Sequence, residues 1–384
     1  MDIKSLNLKL ITTAAALVGF TILTHGAFQL SSDTELFITG ESALEYQSNV
    51  FRNATDEHEL TLVLTPGVEL VFSDSGAATA SIAYTHEFRF YDVYGDLTND
   101  YSHLNMKAQY DSGVLLAKGH VRFDERASTY LDVTTAVDGL SPSDYLSIGA
   151  SAKYNLSDLT AASIAVNYLE TDYETGGLFD SESTAVPVTF FYKVRPEVDL
   201  TAGIRYREVE SSNDLGQEFN YEDTYVFIGA DGELFSPKLR GEVKLGFQER
   251  DSDTAQDNSS ATYMAKVMYT ADPKTSYYLL LDRDFSDSSL NGGSFAKTML
   301  TLGGMHSLTA ALKINASLTL GDYEYEESPR AEDLLFLTLG TSYSPSENLT
   351  FKAQYQYQDV DGNGLGGATS YDNNKISISA SLRY

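Results

Sequence analysis

Five histidines follow the first 26 residues: His58, His86, His103, His120 and His306. None sits in an H-E-x-x-H pattern, which would put two imidazoles and a general base on one helix face. No G-x-S-x-G segment offers a nucleophile elbow, and the absence of Cys removes thiolate chemistry and any disulfide framework. Asp359-Val-Asp-Gly-Asn-Gly364 resembles the start of a calcium loop, with oxygen ligands at Asp359, Asp361 and Asn363. Ser370 stands where an EF-hand needs its bidentate Glu, so a glycine-rich hairpin loop is the better reading. No phosphate-binding glycine motif and no metal-ligand spacing occurs. The expectation is a non-enzyme with no cofactor and no metal site.

What remains is electrostatic chemistry. Lys118, His120, Arg122 and Asp124 share one face of an extended segment, as do His103 and Lys107. Arg205 and Arg207 share another face, and Lys238, Arg240, Glu242 and Lys244 a further one. Each row lies opposite an apolar row. Either these rows form a salt-bridged polar interior, or Lys118, Arg122, Arg205, Arg207, Arg240 and Lys244 make a basic wall that selects what passes. Elsewhere acid dominates. The chain carries 55 acidic and 26 basic residues, for a formal charge of −29. That balance argues against nucleic acid, which needs a basic footprint. The acidic runs, such as Asp180-Ser-Glu182 and Glu324-Tyr-Glu-Glu327, are solvated loops first. Divalent cations bridging them, or attraction of cations to the pore mouth, are the alternatives.

Strands must position these rows. In Lys238–Gln248, Leu239, Val243, Leu245 and Phe247 oppose Lys238, Arg240, Glu242, Lys244 and Gln248. Leu349–Gln358 alternates in the same way. Period-two alternation argues for half-buried strands and against helices. Short turns rich in Gly, Pro, Asp, Asn and Ser fall at 73–76, 111–113, 155–160, 195–199, 235–238, 271–274, 306–310 and 344–348. Longer acidic breaks alternate with them, the longest including Glu125–Pro142. Eight short turns and nine long loops give about 18 strands, with a range of about 16–18. The first, near Glu35–Tyr46, and the tenth, near Tyr221–Leu234, alternate poorly. Segments of about 10–13 residues suit a tilted membrane crossing. The fold expected is all-β: a transmembrane antiparallel up-and-down barrel with short periplasmic turns and long acidic extracellular loops. A propeller would need four short strands per repeat. Aromatic residues at strand ends form the expected girdles: Phe88, Phe90 and Tyr91; Tyr221 and Tyr225; Tyr323 and Tyr325; Tyr355 and Tyr357. Glu125–Pro142, with Leu131, Val133 and Val137, is the candidate for a loop folded inward.

Residues 1–26 read as a secretory signal: Lys4 and Lys9, an apolar run Leu10–Leu23, then small Thr24 and Gly26. Residues 27–384 form one barrel domain. The last strand, Lys375–Tyr384, alternates to the final residue. Ile376, Ile378, Leu382 and Tyr384 share its apolar face. This stretch resembles the closing strand of a Gram-negative outer-membrane barrel, where a terminal aromatic, usually Phe, is read by the barrel insertion machinery. Gly40–Arg52 and Leu64-Thr-Pro-Gly-Val-Glu-Leu70 resemble the opening hairpin of the β-barrel porin family associated with exopolysaccharide and capsule operons. The resemblance implies a place in the outer membrane, among its lipid and lipopolysaccharide. It also implies a role as a porin-like channel for small solutes or ions, or as an accessory to polysaccharide export. A barrel enzyme or a closed structural barrel is the reading from another class.

Overall fold

Alternation becomes hydrogen-bonded ladder in the computed structural model, which describes residues 27–54, 56–73, 77–128, 141–253, 257–289, 293–325, 328–365 and 370–384. A short strand β1 (Phe28–Ser31) comes first. Then follow β2 (Thr34–Gln47), β3 (Glu59–Ser73), β4 (Ala78–Tyr91), β5 (Asn99–Asp111), β6 (Leu115–Ser128) and β7 (Ser141–Asn155). The ring continues with β8 (Thr160–Tyr173), β9 (Asp180–Arg195), β10 (Val198–Ser212), β11 (Glu218–Ser236), β12 (Leu239–Ser252) and β13 (Asn258–Asp272). It is completed by β14 (Thr275–Asp287), β15 (Ser294–Ser307), β16 (Leu312–Tyr325), β17 (Ala331–Tyr343), β18 (Leu349–Gly362) and β19 (Tyr371–Arg383). From β2 onward each strand pairs antiparallel with the next. β19 returns to β2 from Lys375↔Gln47 to Arg383↔Thr39. The result is a closed antiparallel barrel of 18 strands with one extra strand. Closure leaves no edge for another chain to pair with.

β1 is the element that periodicity did not show, because four residues carry too little alternation. It folds back on β2, with Phe28 opposite Leu36. Arg383 is the last β19 residue in that ladder, and Tyr384 still exchanges backbone hydrogen bonds with Ile38 at 2.7 and 2.8 Å. β1 therefore covers the part of β2 that β19 leaves free. Phe28 meets the Tyr384 ring edge-on at 5.9 Å.

The short turns fall where turn chemistry puts them, although residues 74–76 of the first lie outside the described residues. The long connections are shorter than expected. β10 runs to Ser212 and β11 starts at Glu218, so much of the predicted loop Glu208–Asn220 is strand. A ladder that leaves an apolar slab keeps its backbone bonds in water, and only its side chains turn polar. β6 and β7 likewise claim both ends of Glu125–Pro142, and residues 129–140 of that candidate inward loop lie outside the described residues.

Closure assigns alternate side chains to the lumen or to the outer face, save at the long-loop end of β14, where Asp284 and Phe285 both contact inward arginines. On β12, Leu245 and Phe247 stand outward and exposed, while Arg240, Glu242, Lys244, Gln248 and Arg250 point inward. The same parity corrects the expected girdle. Phe88, Phe90, Tyr355 and Tyr357 are outward, but Tyr91, Tyr221, Tyr225, Tyr323 and Tyr325 are inward and buried. Tyr269 and Tyr277, stacked at 6.5 Å, form an outward pair beside the turn between β13 and β14. β11 alternates poorly because its inward row includes Tyr221, Tyr225 and Phe227, so both faces look apolar in sequence.

Candidate functional site

The candidate site is the barrel interior, which changes character along its axis. In the long-loop half, charged side chains interlock. Arg250 on β12 donates from Nε and Nη2 to the two Asp223 oxygens at 2.6 and 2.7 Å, and Asp223 on β11 also receives Arg207 Nε at 2.6 Å. Arg205 on β10 grips Asp284 on β14 with two bonds of 2.9 Å. Arg207 Nη2 donates to the Phe285 carbonyl at 3.0 Å. Neighbouring strands lie about 4.8 Å apart, so β10 and β14 are about 19 Å apart along the wall. Side chains span that gap only because the wall curls inward from β10 to β14. Rings pave the curl: Arg250 lies over Tyr221 at 4.8 Å and Arg205 over Tyr225 at 5.1 Å. Such contacts strengthen when desolvated. Glycines make room for the rings. A Cβ on Gly203 would sit 2.5 Å from Phe227 Cζ, and one on Gly246 2.4 Å from Tyr225 Cε2.

The other side of this half is an apolar cluster of Phe295, Tyr323, Tyr325, Leu334, Val360 and Tyr371, all inward and buried. Connections tie the rim. Phe179 N–H donates to the Ser289 carbonyl at 2.8 Å, joining the β8–β9 connection to the β14–β15 connection above the curl. The Phe179 ring also packs edge-on against Phe219 at 5.4 Å. Glu59, fully buried, accepts backbone N–H bonds from Leu60, Asp92 and Tyr94 at 2.8, 2.7 and 2.9 Å and so holds the β4–β5 connection.

The short-turn half is open. Inward residues of β3 to β8, with Arg383 of β19, border a cavity of about 1030 Å³, whose lining includes Lys107, Lys118, His120, Arg122 and Asn167. Glu69, also on its wall, binds Arg383 at 2.8 Å. Among the described residues, Lys107 and Lys118 have no carboxylate within salt-bridge distance.

The six basic residues read from the sequence all fall on inward rows, yet they divide. Lys118 and Arg122 face the cavity, and Arg122 pairs with Asp124. Arg205 and Arg207 are held in the curl. Arg240 is two-thirds exposed, 3.4 Å from Glu233, and Lys244 binds Glu242 at 2.6 Å. Asp223, Arg250, Asp284 and Asp287, which complete the buried network, were missed. Their partners sit on strands far apart in sequence, and the only local signal was that Arg250 continues the inward row from Arg240. Of the closing-strand residues, Ile376 and Ile378 stand outward and exposed, Leu382 shares their row, and Tyr384 is buried against β1. Asp359 and Asp361 are strand residues of β18, and Asp361 accepts from Ser370 Oγ at 2.9 Å.

Residues 229–384 match the sequence model of a family described as putative beta-barrel porin 2. The hairpin motif in the first third lies outside that span. The FrpB iron transporter from Neisseria meningitidis, in its apoprotein form, superposes with a TM-score of 0.50 at 9% identity, over 92% of this chain and 82% of that one. The outer membrane protein OpdK from Pseudomonas aeruginosa gives 0.48 at 8% identity, over 92% and 99%. OccAB4 from Acinetobacter baumannii gives 0.47 at 11% identity, over 92% and 99%. At 9% identity the likeness to the FrpB transporter shows the fold alone. No curated protein matches the chain by sequence.

Proposed function

Starting from an 18-stranded barrel whose residues 229–384 match a β-barrel porin family, we propose that this protein is an outer-membrane channel for the passive passage of small solutes. It sits with its short turns in the periplasm and its long connections outside. The observation that carries the reading is the open, side-chain-lined cavity of about 1030 Å³ in the short-turn half. Barrels of this strand number are wide enough to hold water. The packed long-loop half narrows the route, which suits a selective channel over a wide pore.

Anion preference comes from Lys107 and Lys118, helped by Arg122. Arg205 and Arg207 contribute little, because their charge is matched by Asp284 and Asp223 at contact distance. Reversal potentials in planar bilayers test this. Lys107→Gln with Lys118→Gln should shift selectivity toward cations, and Arg205→Gln with Arg207→Gln should not. An unchanged ratio in the lysine variant rejects the assignment, and a native barrel without conductance rejects the channel.

Orientation is tested by labelling on intact cells. Leu215→Cys, in the exposed β10–β11 connection, should react with an impermeant maleimide, and Ser112→Cys in a short turn should not. The reverse pattern would invert the barrel. Ile376, Ile378, Leu382 and Tyr384 form the insertion signal of the closing strand. Deleting Tyr384 should leave less heat-modifiable barrel in the outer membrane.

A further inference from the structure

The open half of the interior is lined unevenly. On β5 and β6 the inward row carries Lys107, Lys118, His120 and Arg122. On β13, β14 and β15 it carries Met268, Tyr278, Leu280 and Met305, with Lys266 opposite Leu280 and Arg240 of β12 opposite Met268. Their registers make these four one stripe. Met268 lies opposite Tyr278, Tyr278 lies opposite Gly303, Leu280 is two residues beyond Tyr278, and Met305 is two beyond Gly303. The face is fixed independently: Leu280 lies opposite Lys266, which in turn lies opposite the inward Glu242. Tyr269 and Tyr277 stack on the other face.

Gly303 explains how the stripe is built. A Cβ there would come within 2.3 Å of Tyr278 Cζ, so the ring lies flat over the glycine. Met268, Leu280 and Met305 then stand free in the lumen, exposed by 53%, 42% and 45%. Positions facing water inside a barrel are normally polar. The inward rows on either side obey that rule, with Arg240 and Glu242 on β12 and Ser317 and Thr319 on β16. Apolar side chains left wet in a polar lumen gain nothing for stability, and grouped apolar exposure marks a place where something binds.

The two walls face each other. β5 and β14 are nine steps apart in either direction round the ring, and so are β6 and β15. We infer that the open half of the lumen binds amphiphilic organic anions, carboxylates carrying an alkyl or aryl body. Lys107 and Lys118 attract the carboxylate, and the stripe of Met268, Tyr278, Leu280 and Met305 receives the body. A hydroxylated acid of equal charge meets one favourable wall, and a neutral aromatic meets only the other. The inference rests on the channel reading for the route by which the ligand arrives, whereas binding itself can be measured without transport.

Isothermal titration of the full barrel in lipid nanodiscs, with empty nanodiscs as the blank, provides the test. The probes are 3-phenylpropionate, gluconate and 3-phenylpropanol. The expected result is 3-phenylpropionate binding about tenfold tighter than either of the others, a difference of 1.4 kcal/mol. Met268→Ser with Leu280→Ser should remove that advantage and leave gluconate binding unchanged. Lys107→Gln with Lys118→Gln should weaken both acids. Equal binding of 3-phenylpropionate and gluconate to the native barrel overturns the inference, and that comparison stands even where a variant fails to insert. Discriminating binding by a barrel that conducts nothing would remove the channel and keep the site. An anion-selective barrel that binds both acids alike would do the opposite.

Discussion

The same strands run through both halves of this barrel, yet the two halves treat charge in opposite ways. In the long-loop half, Asp223 is 0% and Arg250 1% exposed, and each touches more than one partner. In the short-turn half, Arg240 is 66% exposed beside a single Glu233, and Lys118 lies exposed on the cavity wall. A buried charge is tolerable only when paired and hydrogen-bonded, because its desolvation is expensive. A wet charge keeps its water and stays free to act on a solute. Inward basic residues therefore have two separate uses here. Arg205, Arg207 and Arg250 hold a curled wall, and Lys107 and Lys118 face the open cavity.

That comparison can be broken at its strongest point. Asp223→Ala leaves Arg207 and Arg250 buried and short of an anion, and should cost about 3–5 kcal/mol of unfolding free energy. Urea unfolding in lipid vesicles reads the loss. Arg240→Gln, in the wet half, should cost less than about 1 kcal/mol by the same measurement. Similar costs for the two changes would erase the distinction.

A smaller effect tests the packing that lets rings enter the curl. Gly203→Ala would place a Cβ 2.5 Å from both Phe227 Cζ and the Val188 carbonyl oxygen. Overpacking of this kind costs about 1–3 kcal/mol. Gly119→Ala, on the open side, meets nothing nearer than the Gly149 carbonyl at 3.7 Å. It should stay within about 0.5 kcal/mol of the native protein. Equal stability of the two variants would show that the curl is not tightly packed.

The smallest expected effect is at the seam. Phe28→Ala removes the edge-on contact with Tyr384, worth about 0.5–1.5 kcal/mol. The variant should still insert and give heat-modifiable barrel, with a slightly lower urea midpoint. Complete loss of insertion would assign β1 a larger role than covering the end of β2.

Periodicity and turn chemistry were enough for a ring of about 18 strands, the short turns between them and which side chains share a face, though not for β1. Those properties are local. A strand repeats every two residues, and Asp111-Ser112-Gly113 or Phe235–Lys238 needs no distant partner to turn. Lys238–Gln248 could therefore be sorted into inward and outward rows before any strand was paired. Which inward charges are neutralised, which rings leave the girdle for the interior and how the seam is covered depend on contacts between strands far apart in the chain. Arg205 meets Asp284 across 79 positions of chain, and nothing in either neighbourhood encodes the other. Tyr221 and Tyr323 look like girdle residues until closure turns their parity inward. The stripe of Met268 and Leu280 has no sequence signature, because a chain read residue by residue does not show which face the ring will enclose. Facing is local up to a sign, and only the closed barrel supplies the sign.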